Sequence, residues 1–455
     1  MKKLFFTVLL ISLVANAQTN PAITKWLQNT TTTGSYYVAG NPTPIANGIL
    51  VNCQQVRYST NWVYVNATGM PAYKVGPFSG DGNPNQAGNQ NAIFKLPLNP
   101  TANTGTLTPT SGGNIGIFIN GVAMFDYRDG VAWNTNSNAL CGGPGNPPCP
   151  GGPNTTQAWN RDAVVAERAG FDCSKGHPAG TNYHHHQNPS AFDLDLTVLS
   201  TICNLYDSDG LYTINPSQHS PLIGFAYDGF PVYGAYGYAN TDGTGGIVRM
   251  KSGYELRNIT VRTHHADGTN VSDGPAVSTT YPLGYFREDY QWVAHPSDQS
   301  YLDIHNGRFC VTPEYPNGIY CYFATVNENH NSAYPYLVGP TYYGNKTGTT
   351  VTSVTETTTT YTPSLATTSI QLEDSSVKVI PNPASDLIAV QFNGIVQGNL
   401  TIELLDTNGK LIKTTQLNAG QSIGYFDVQD VYNGVYFVKI SDGMNSKSLK
   451  VLIRK

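Results

Sequence analysis

Short apolar runs separated by clusters of turn-forming residues constrain the fold of this chain more than any other feature. Residues 62–65 and 92–96 are two such runs, and asparagine, glycine and proline cluster beside them. This spacing is typical of short strands joined by turns. The 46 glycines, 29 prolines and 29 tyrosines, with only 12% charged residues, favour the same structure over solvated helices. We therefore predict a mainly β protein.

The first residues have the pattern of a secretory signal peptide. Two lysines precede an apolar run over residues 4–14, and small residues follow up to Ala17. We predict cleavage after Ala17, so that residues 1–17 are the signal peptide. The run is shorter than the ~18 apolar residues of a membrane-spanning helix, and no transmembrane segment is expected elsewhere.

Charge gives little information about partners. The formal net charge is −5, and the chain has neither a basic stripe nor a polybasic run. Neither nucleic acid nor an anionic membrane surface is therefore an expected partner.

Helical periodicity is confined to short stretches. Residues 159–168 place apolar side chains near helical spacing before Gly170, and residues 190–199 are a second candidate. Residues 116–125 instead predict a β-hairpin around an Asn-Gly turn. We expect one or two short helices in an otherwise β-rich domain.

Four of the ten histidines lie within residues 176–186, and this stretch is the strongest candidate site. If it is extended, His184 and His186 share one face, while Tyr183 and His185 point to the other. The turn residues around His177 can fold that side chain back over the same face. Three neutral imidazoles suit zinc or copper. The alternative is a buried hydrogen-bond network of histidines and tyrosines without an ion.

Other polar residues are candidates for the same site. His219 is a possible further ligand, and Tyr183 and Asp228 are possible supporting groups, although His219 can equally cap a strand and Asp228 can equally form a turn. Asp303 and His305 have the spacing at which a carboxylate orients an imidazole. His264 and His265 lie in a polar loop, where we expect them to be solvated.

All seven cysteines follow the signal peptide, and export implies an oxidising compartment. Cys310 and Cys321 flank a predicted hairpin loop and would face each other. Cys141 and Cys149 bracket a glycine- and proline-rich loop, and Cys173 and Cys203 bracket the histidine stretch. The predicted disulfides are these three pairs, with Cys53 as the odd thiol, although sequence alone leaves the connectivity open and Cys173 as a metal ligand is an alternative.

Tyr183, His184 and His186, with the preceding Gly-His-Pro, resemble the YHYH domain family. The resemblance continues through residues 219–234, 306–309 and 313–318. His185 stands where the family has its second tyrosine, which leaves the pair formed by His184 and His186 intact. The resemblance implies a YHYH domain region over residues 18–345, with a core at about 110–340, in an extracellular setting. It implies no particular reaction.

Residues 346–372 are dominated by threonine and predict an exposed linker. Beyond it, residues 373–455 resemble a type IX secretion C-terminal sorting domain, on the segments 379–384, 402–410, 434–440 and 450–455. Their alternating apolar residues predict a small β-sandwich. The resemblance implies the type IX secretion machinery as a partner, export across the outer membrane, and a protein that is released or held at the cell surface. A carbohydrate-binding or adhesive module is the alternative for the tail.

Two functions are compatible with these features. The first is metal binding through His177, His184 and His186 with His219, which would permit metal-assisted hydrolysis or copper-dependent oxidation. The second is a non-catalytic module that recognises glycan or protein through tyrosines such as Tyr236 and Tyr238. The sequence does not decide whether the protein is an enzyme.

Known hydrolase and calcium motifs offer no further candidate. The chain has neither the Gly-x-Ser-x-Gly motif of serine hydrolases nor the His-Glu-x-x-His motif of zinc proteases. Residues 207–210 form only part of a calcium loop.

Overall fold

The computed structural model describes most of the chain. The described residues are 20–78, 85–143, 145–152, 157–195, 203, 206, 208–363, 377–392, 396, 400–407, 409–418, 421–441 and 446–455. The predicted signal peptide, Asp207 of the partial calcium loop, the end of the second candidate helix and the end of the predicted linker lie outside them. Within the described residues, no helix is both long and apolar enough to cross a membrane.

Contacts divide the chain into two compact units, Met1–Tyr361 and Thr362–Lys455. The helices of the first unit are α1 (Pro21–Thr24) and α2 (Ala163–Ala166), with 3₁₀ turns at Arg168–Gly170, Phe192–Leu194 and Arg287–Asp289. Its strands are β1 (Thr33–Val38), β2 (Asn41–Leu50), β3 (Cys53–Tyr58), β4 (Trp62–Ala67), β5 (Ala92–Pro97), β6 (Asn114–Phe118), β7 (Ala123–Phe125), β8 (Arg128–Asn134), β9 (Ala139–Cys141), β10 (Asn160–Asp162), β11 (His177–Ala179), β12 (Asn182–His185), β13 (Leu222–Ala226), β14 (Pro231–Tyr233), β15 (Tyr236–Tyr238), β16 (Ile247–Arg249), β17 (Tyr254–Leu256), β18 (Tyr290–Trp292), β19 (Gly307–Cys310), β20 (Ile319–Phe323), β21 (Thr349–Val351) and β22 (Thr359–Tyr361).

The central sheet of the first unit has the strand order β11-β12-β7-β6-β13-β14-β20-β19. Strands β6 and β7 form the predicted hairpin, with Ile117 opposite Ala123. Strands β6 and β13 approach so closely that a Cβ at Gly224 would lie 2.6 Å from the Ile117 carbonyl oxygen. The hairpin of β11 and β12 forms one edge of this sheet, and that edge carries the histidine stretch.

A second sheet, the side sheet, has the strand order β21-β5-β4-β3-β22. Its inward residues, including Val63, Val65 and Phe94, belong to the same buried apolar cluster as Ile117 and Phe225 of the central sheet. The two sheets therefore share one core, and burial of this apolar surface is the main stabilising contribution.

The threonine-rich segment completes the side sheet instead of forming a linker along its full length. Thr349 pairs with Lys95 at one edge, and Thr359 pairs with Tyr58 at the other. Between them runs the threonine strap, residues 352–358, whose Glu356 accepts a hydrogen bond from the Tyr64 hydroxyl on the middle strand. The structure differs here from the predicted linker because β-branched threonine suits an edge strand whose outer face is solvated.

The predicted helix over residues 159–168 is wrong for most of its length. Residues 160–162 pair with β8, placing Asn160 opposite Ala132. The helix begins only after Asp162, whose carboxylate caps it by accepting from the Val164 backbone N–H at 2.8 Å. Strand pairing and this cap outweigh a weak apolar periodicity. Of the second candidate, the described part contains the turn Phe192–Leu194.

Two of the predicted disulfides are confirmed, Cys141–Cys149 and Cys173–Cys203. Cys53 is free and buried, as predicted. The predicted pair of Cys310 and Cys321 is wrong, because both are free. The hairpin register places Cys310 opposite Ile319 and Cys321 opposite Arg308, so the two cysteines are diagonal neighbours on one face and are not directly opposed.

The second unit is a small β-sandwich, as predicted. Strands of one sheet are β23 (Val377–Ile380), β24 (Leu387–Phe392) and β27 (Ile423–Asp427), and those of the other are β25 (Leu400–Leu405), β26 (Leu411–Leu417), β28 (Gly434–Ser441) and β29 (Ser446–Ile453). Alternate residues from both sheets, such as Ile388, Ile402 and Val438, form its core. This alternation is the one that the sequence displays.

Candidate metal centre

The candidate site lies on the hairpin formed by β11 and β12. Gly180 and Thr181 join the strands, and Gly180 has the positive φ of +60° that such a tight turn requires. His177 stands directly opposite His184 in this hairpin. Directly opposed residues of an antiparallel pair project from the same face. The turn therefore brings His177 back over His184, as predicted.

Three imidazoles converge on this face. The Nε2 atoms of His184 and His186 are 3.0 Å apart. The ring of His177 lies 4.6 Å from that of His184 and 5.6 Å from that of His186, measured between centroids. One nitrogen from each ring lies within 4.8 Å of the others. All three side chains are buried, with exposed fractions of 4% for His177, 1% for His184 and 3% for His186.

The outer nitrogens of two of these rings are held by backbone carbonyls. Nδ1 of His184 is 2.9 Å from the Asn182 carbonyl oxygen, and Nδ1 of His186 is 2.5 Å from the Asp126 carbonyl oxygen. A carbonyl oxygen only accepts hydrogen bonds, so each Nδ1 carries the proton. In the neutral ring the Nε2 atom then has a free lone pair. Both lone pairs point into the cluster.

A carboxylate that the sequence did not reveal completes the group. Oε2 of Glu167 lies 3.2 Å from Nε2 of His177 and 3.3 Å from Nε2 of His186. Glu167 follows α2 directly as its C-cap, and its backbone N–H donates to the Ala163 carbonyl at 2.8 Å. In the sequence this residue is indistinguishable from a solvated carboxylate at a helix end. No sequence signal identifies it.

Aromatic rings enclose the cluster. Phe125 stacks on His184 with ring centroids 3.8 Å apart, and Phe171 meets His177 edge-on at 4.8 Å. The side chain of Glu167, at 21% exposed, is the most accessible member of the group. The Oε2 atom of Glu167, which faces the rings, is itself buried.

The electrostatics of the cluster favour a neutral His184 next to an ionised Glu167. Burial, reinforced by the neighbouring His186 and His177, lowers the pKa of His184 well below its ordinary value. Burial alone would raise the pKa of Glu167, but the interactions of its carboxylate with the rings of His177 and His186 outweigh burial and bring that pKa to about 2. These are the protonation states that metal ligands need.

The opposite face of β12 is a structural network, as the alternation predicts. The Nε2 atom of His185 is 2.7 Å from the Tyr73 hydroxyl, and the Tyr183 hydroxyl donates to Asp172 at 2.9 Å. Burial lowers the pKa of His185 to about 3, so this ring is neutral. Tyr183 therefore points away from the candidate centre and does not contact the three imidazoles.

His219 and Asp228 do not reach the cluster. His219 packs between Tyr233 and Tyr238, and its Nδ1–H donates to the Ser220 carbonyl at 2.7 Å. Asp228 accepts from the Tyr322 hydroxyl at 2.5 Å and from the Gly344 backbone N–H at 2.9 Å. Among the described residues, the three histidines whose nitrogens converge do not include His219.

Asp303 and His305 also do not join the group of three histidines. The Asp303 carboxylate accepts from the backbone N–H of His305 at 2.9 Å and from the Tyr320 hydroxyl at 2.8 Å. The His305 ring places Nδ1 2.8 Å from the Thr341 hydroxyl. The carboxylate therefore stabilises a turn and does not orient the imidazole.

Two family profiles match the chain. The one described as YHYH protein covers residues 93–335, which include the three histidines and Glu167. The one described as secretion system C-terminal sorting domain covers residues 378–454. No curated protein matches the chain. A sorting domain of this kind directs export, so the mature protein is secreted or held at the cell surface.

Proposed function

The chain belongs to the YHYH protein family and carries an export domain, and on that premise we propose that it is an exported protein that binds a divalent transition-metal ion. The ligands are His177, His184 and His186. Zinc and copper are the ions that suit three neutral imidazoles. The second unit brings the protein to the type IX secretion machinery, which is its partner during export.

The proposal rests mainly on one contact. The Nε2 atoms of His184 and His186 are 3.0 Å apart. Each ring has its proton on Nδ1, so two lone pairs face each other across this short distance. Two acceptors in contact repel each other unless a cation lies between them. A metal ion bound by both nitrogens removes the repulsion and explains why the rings converge.

A shared proton is the other cation that satisfies two acceptors. It would require one imidazolium in a site where the three rings are 1–4% exposed. Burial without full compensation disfavours a charged imidazole. The carboxylate of Glu167 supplies compensation for either cation, so metal analysis is the test that separates the two.

The geometry does not favour the binding-module function. Tyr236 is buried and its hydroxyl contacts Nε2 of His330 at 3.0 Å, while Tyr238 is half-buried. Among the described residues of the first unit, no tyrosine is exposed; the tyrosines line the core or its margin. The described tyrosines of this unit are therefore partly or fully occupied by packing, which gives the binding-module function less support than the histidine cluster gives metal binding.

The test is elemental analysis of the full exported chain, produced without a histidine tag. Near-stoichiometric zinc or copper is expected in the parent, and its loss is expected in the double variant His184→Ala/His186→Ala. The matched control is His264→Ala/His295→Ala, which removes the same number of histidines from outside the cluster.

Metal loss from the first variant counts only if that protein is still folded, as judged by near-ultraviolet circular dichroism and by the two disulfides. A parent that stays free of metal after reloading with zinc and copper would overturn the proposal. A structural histidine network would then remain.

A further inference from the structure

We propose that Glu167 is a fourth protein ligand, so that the metal centre is closed and its ion ties α2 to the edge hairpin of the central sheet. This inference rests on the proposed metal binding and specifies what the bound ion does. It names a ligand that lies outside the histidine stretch. It also assigns the centre a structural role in place of a catalytic one.

The distances between the ligand atoms support Glu167 as the fourth ligand. In a tetrahedral zinc site with ligand bonds of about 2.0–2.1 Å, neighbouring ligand atoms are roughly 3.3 Å apart. The Glu167 oxygen is 3.2 Å from His177 Nε2 and 3.3 Å from His186 Nε2. The two Nε2 atoms of His184 and His186 are 3.0 Å apart. These separations correspond to three edges of one such tetrahedron.

Charge supports the same assignment. A divalent ion among three buried neutral imidazoles would keep its full charge in a poorly solvated place, and an uncompensated buried charge is costly. Glu167 is the carboxylate in contact with these rings, and it reduces the net charge of the centre by one. Three nitrogens and one carboxylate oxygen suit a borderline divalent ion such as zinc better than the softer copper(I).

A metal centre whose coordination positions are all filled by protein side chains is not expected to catalyse a reaction. Catalytic zinc sites keep one position for water or substrate, whereas structural sites use four protein ligands. Here the four side chains occupy the four positions, and Phe125 and Phe171 cover the rings of His184 and His177. The ion is therefore held in place instead of activating water.

The helix and strands that the ion would join are too short to be stable without further contacts. α2 has four residues, and β11 is a three-residue strand at the edge of the central sheet. A helix of that length is not stable by itself. Ligands on β11, on β12 and directly after β12 and α2 would fix these pieces to one another.

Cobalt(II) is the probe that tests closure, because its visible absorption reports coordination number. The full chain loaded with cobalt(II) is expected to show the intense bands of a tetrahedral centre, unchanged by added azide. Glu167→Ala should weaken cobalt and zinc binding at least tenfold and should make the spectrum respond to azide, which enters the vacated position. Glu167→Gln, which keeps the volume and one oxygen, should give an intermediate affinity.

The matched control is Glu328→Gln, since Glu328 is 76% exposed and pairs with Arg249 away from the cluster. It should behave as the parent does. A parent spectrum that shifts with azide, or Glu167 variants with parental spectra and affinities, would overturn the closed centre while metal binding stands. Failure of the parent to take up cobalt or zinc would instead overturn the proposed function itself. If Glu167→Ala does not fold, the affinity of Glu167→Gln decides.

Discussion

His177 faces His184 directly across the hairpin of β11 and β12, and this pairing determines where a third imidazole must lie. His186 follows two residues after His184 and returns to the same face, whereas His185 points away. The two faces of one short strand therefore have separate roles.

Substitutions on the two faces are expected to have different effects. Outer-shell partners alone contribute about 10–100-fold to metal affinity, so His184→Ala, which removes a ligand, should weaken binding by more than about 100-fold. His185→Phe should retain the metal and lower the free energy of unfolding by about 0.5–1.5 kcal/mol, because the Tyr73 hydroxyl loses its hydrogen bond to this ring. Zinc titration and urea unfolding measure the two effects. Equal metal loss in both variants would contradict the separation.

Removal of the metal should destabilise the first unit. An ion that binds only the folded state, present at about 1,000 times its dissociation constant, contributes about 4 kcal/mol. Chelator should therefore lower the thermal midpoint of the parent and leave that of His184→Ala/His186→Ala unchanged. Calorimetry with and without chelator makes the comparison, and an equal response of both proteins would exclude a specific effect at this centre.

Asp162 should make folding less favourable as pH rises. Burial raises its pKa to about 7, although hydrogen bonds from Tyr336, Val165 and Val164 oppose the shift. The folded state thus binds more protons than the unfolded state between about pH 4 and pH 7. The contribution is fully present below the unfolded pKa and is lost as pH rises through the folded pKa. In Asp162→Asn, denaturant unfolding of metal-free protein should depend less on pH across this window than in the parent, and an unchanged pH dependence would contradict the assignment.

Thiol labelling should distinguish the disulfide pattern of the structure from the pattern expected from the sequence. The free cysteines are Cys53, Cys310 and Cys321. Alkylation after denaturation without reductant should therefore add three labels per chain, as read by mass spectrometry. A single label would mean that Cys310 and Cys321 are bonded, and would contradict the free thiols of the structure.

The end of the first unit can be located by truncation. A chain of residues 18–345 lacks β21 and β22, which leaves the outer edges of β5 and β3 unpaired. Unpaired edges promote aggregation. We expect this fragment to be less stable and less soluble than residues 18–363, as measured by thermal unfolding and by size-exclusion chromatography. Equal behaviour would mean that the threonine strap and its flanking strands contribute little.

The three histidines of the candidate centre could be predicted from local sequence patterns. Strand periodicity assigns His184 and His186 to one face and His185 to the other, and a Gly-containing turn returns His177 over them. Glu167 was not predictable, because its contact depends on how a four-residue helix ends beside a hairpin ten residues later in the chain. The carbonyls that hold the two Nδ1 atoms are backbone groups, and no residue type identifies them.

Predictions from sequence proximity and composition were wrong where strand register, hydrogen bonding or pairing of distant segments determines the structure. Cys310 and Cys321 flank one hairpin, but its register makes them diagonal neighbours and not directly opposed residues. Asp303 is two residues from His305, yet it bonds the backbone there and the Tyr320 hydroxyl. The threonine-rich segment lacks large apolar residues, yet part of it pairs with strands from the start of the chain.

The pairing of Tyr58 with Thr359 has a consequence for the order in which the protein folds. Strand β3 belongs to the beginning of the first unit and β22 to its last residues, so the side sheet remains incomplete until nearly the whole unit has been synthesised. Contacts between such distant segments make folding slow, because a long loop must close before they form. The last strand of the first unit thus completes its side sheet, and a chain that ends before β22 cannot form that sheet in its native strand order.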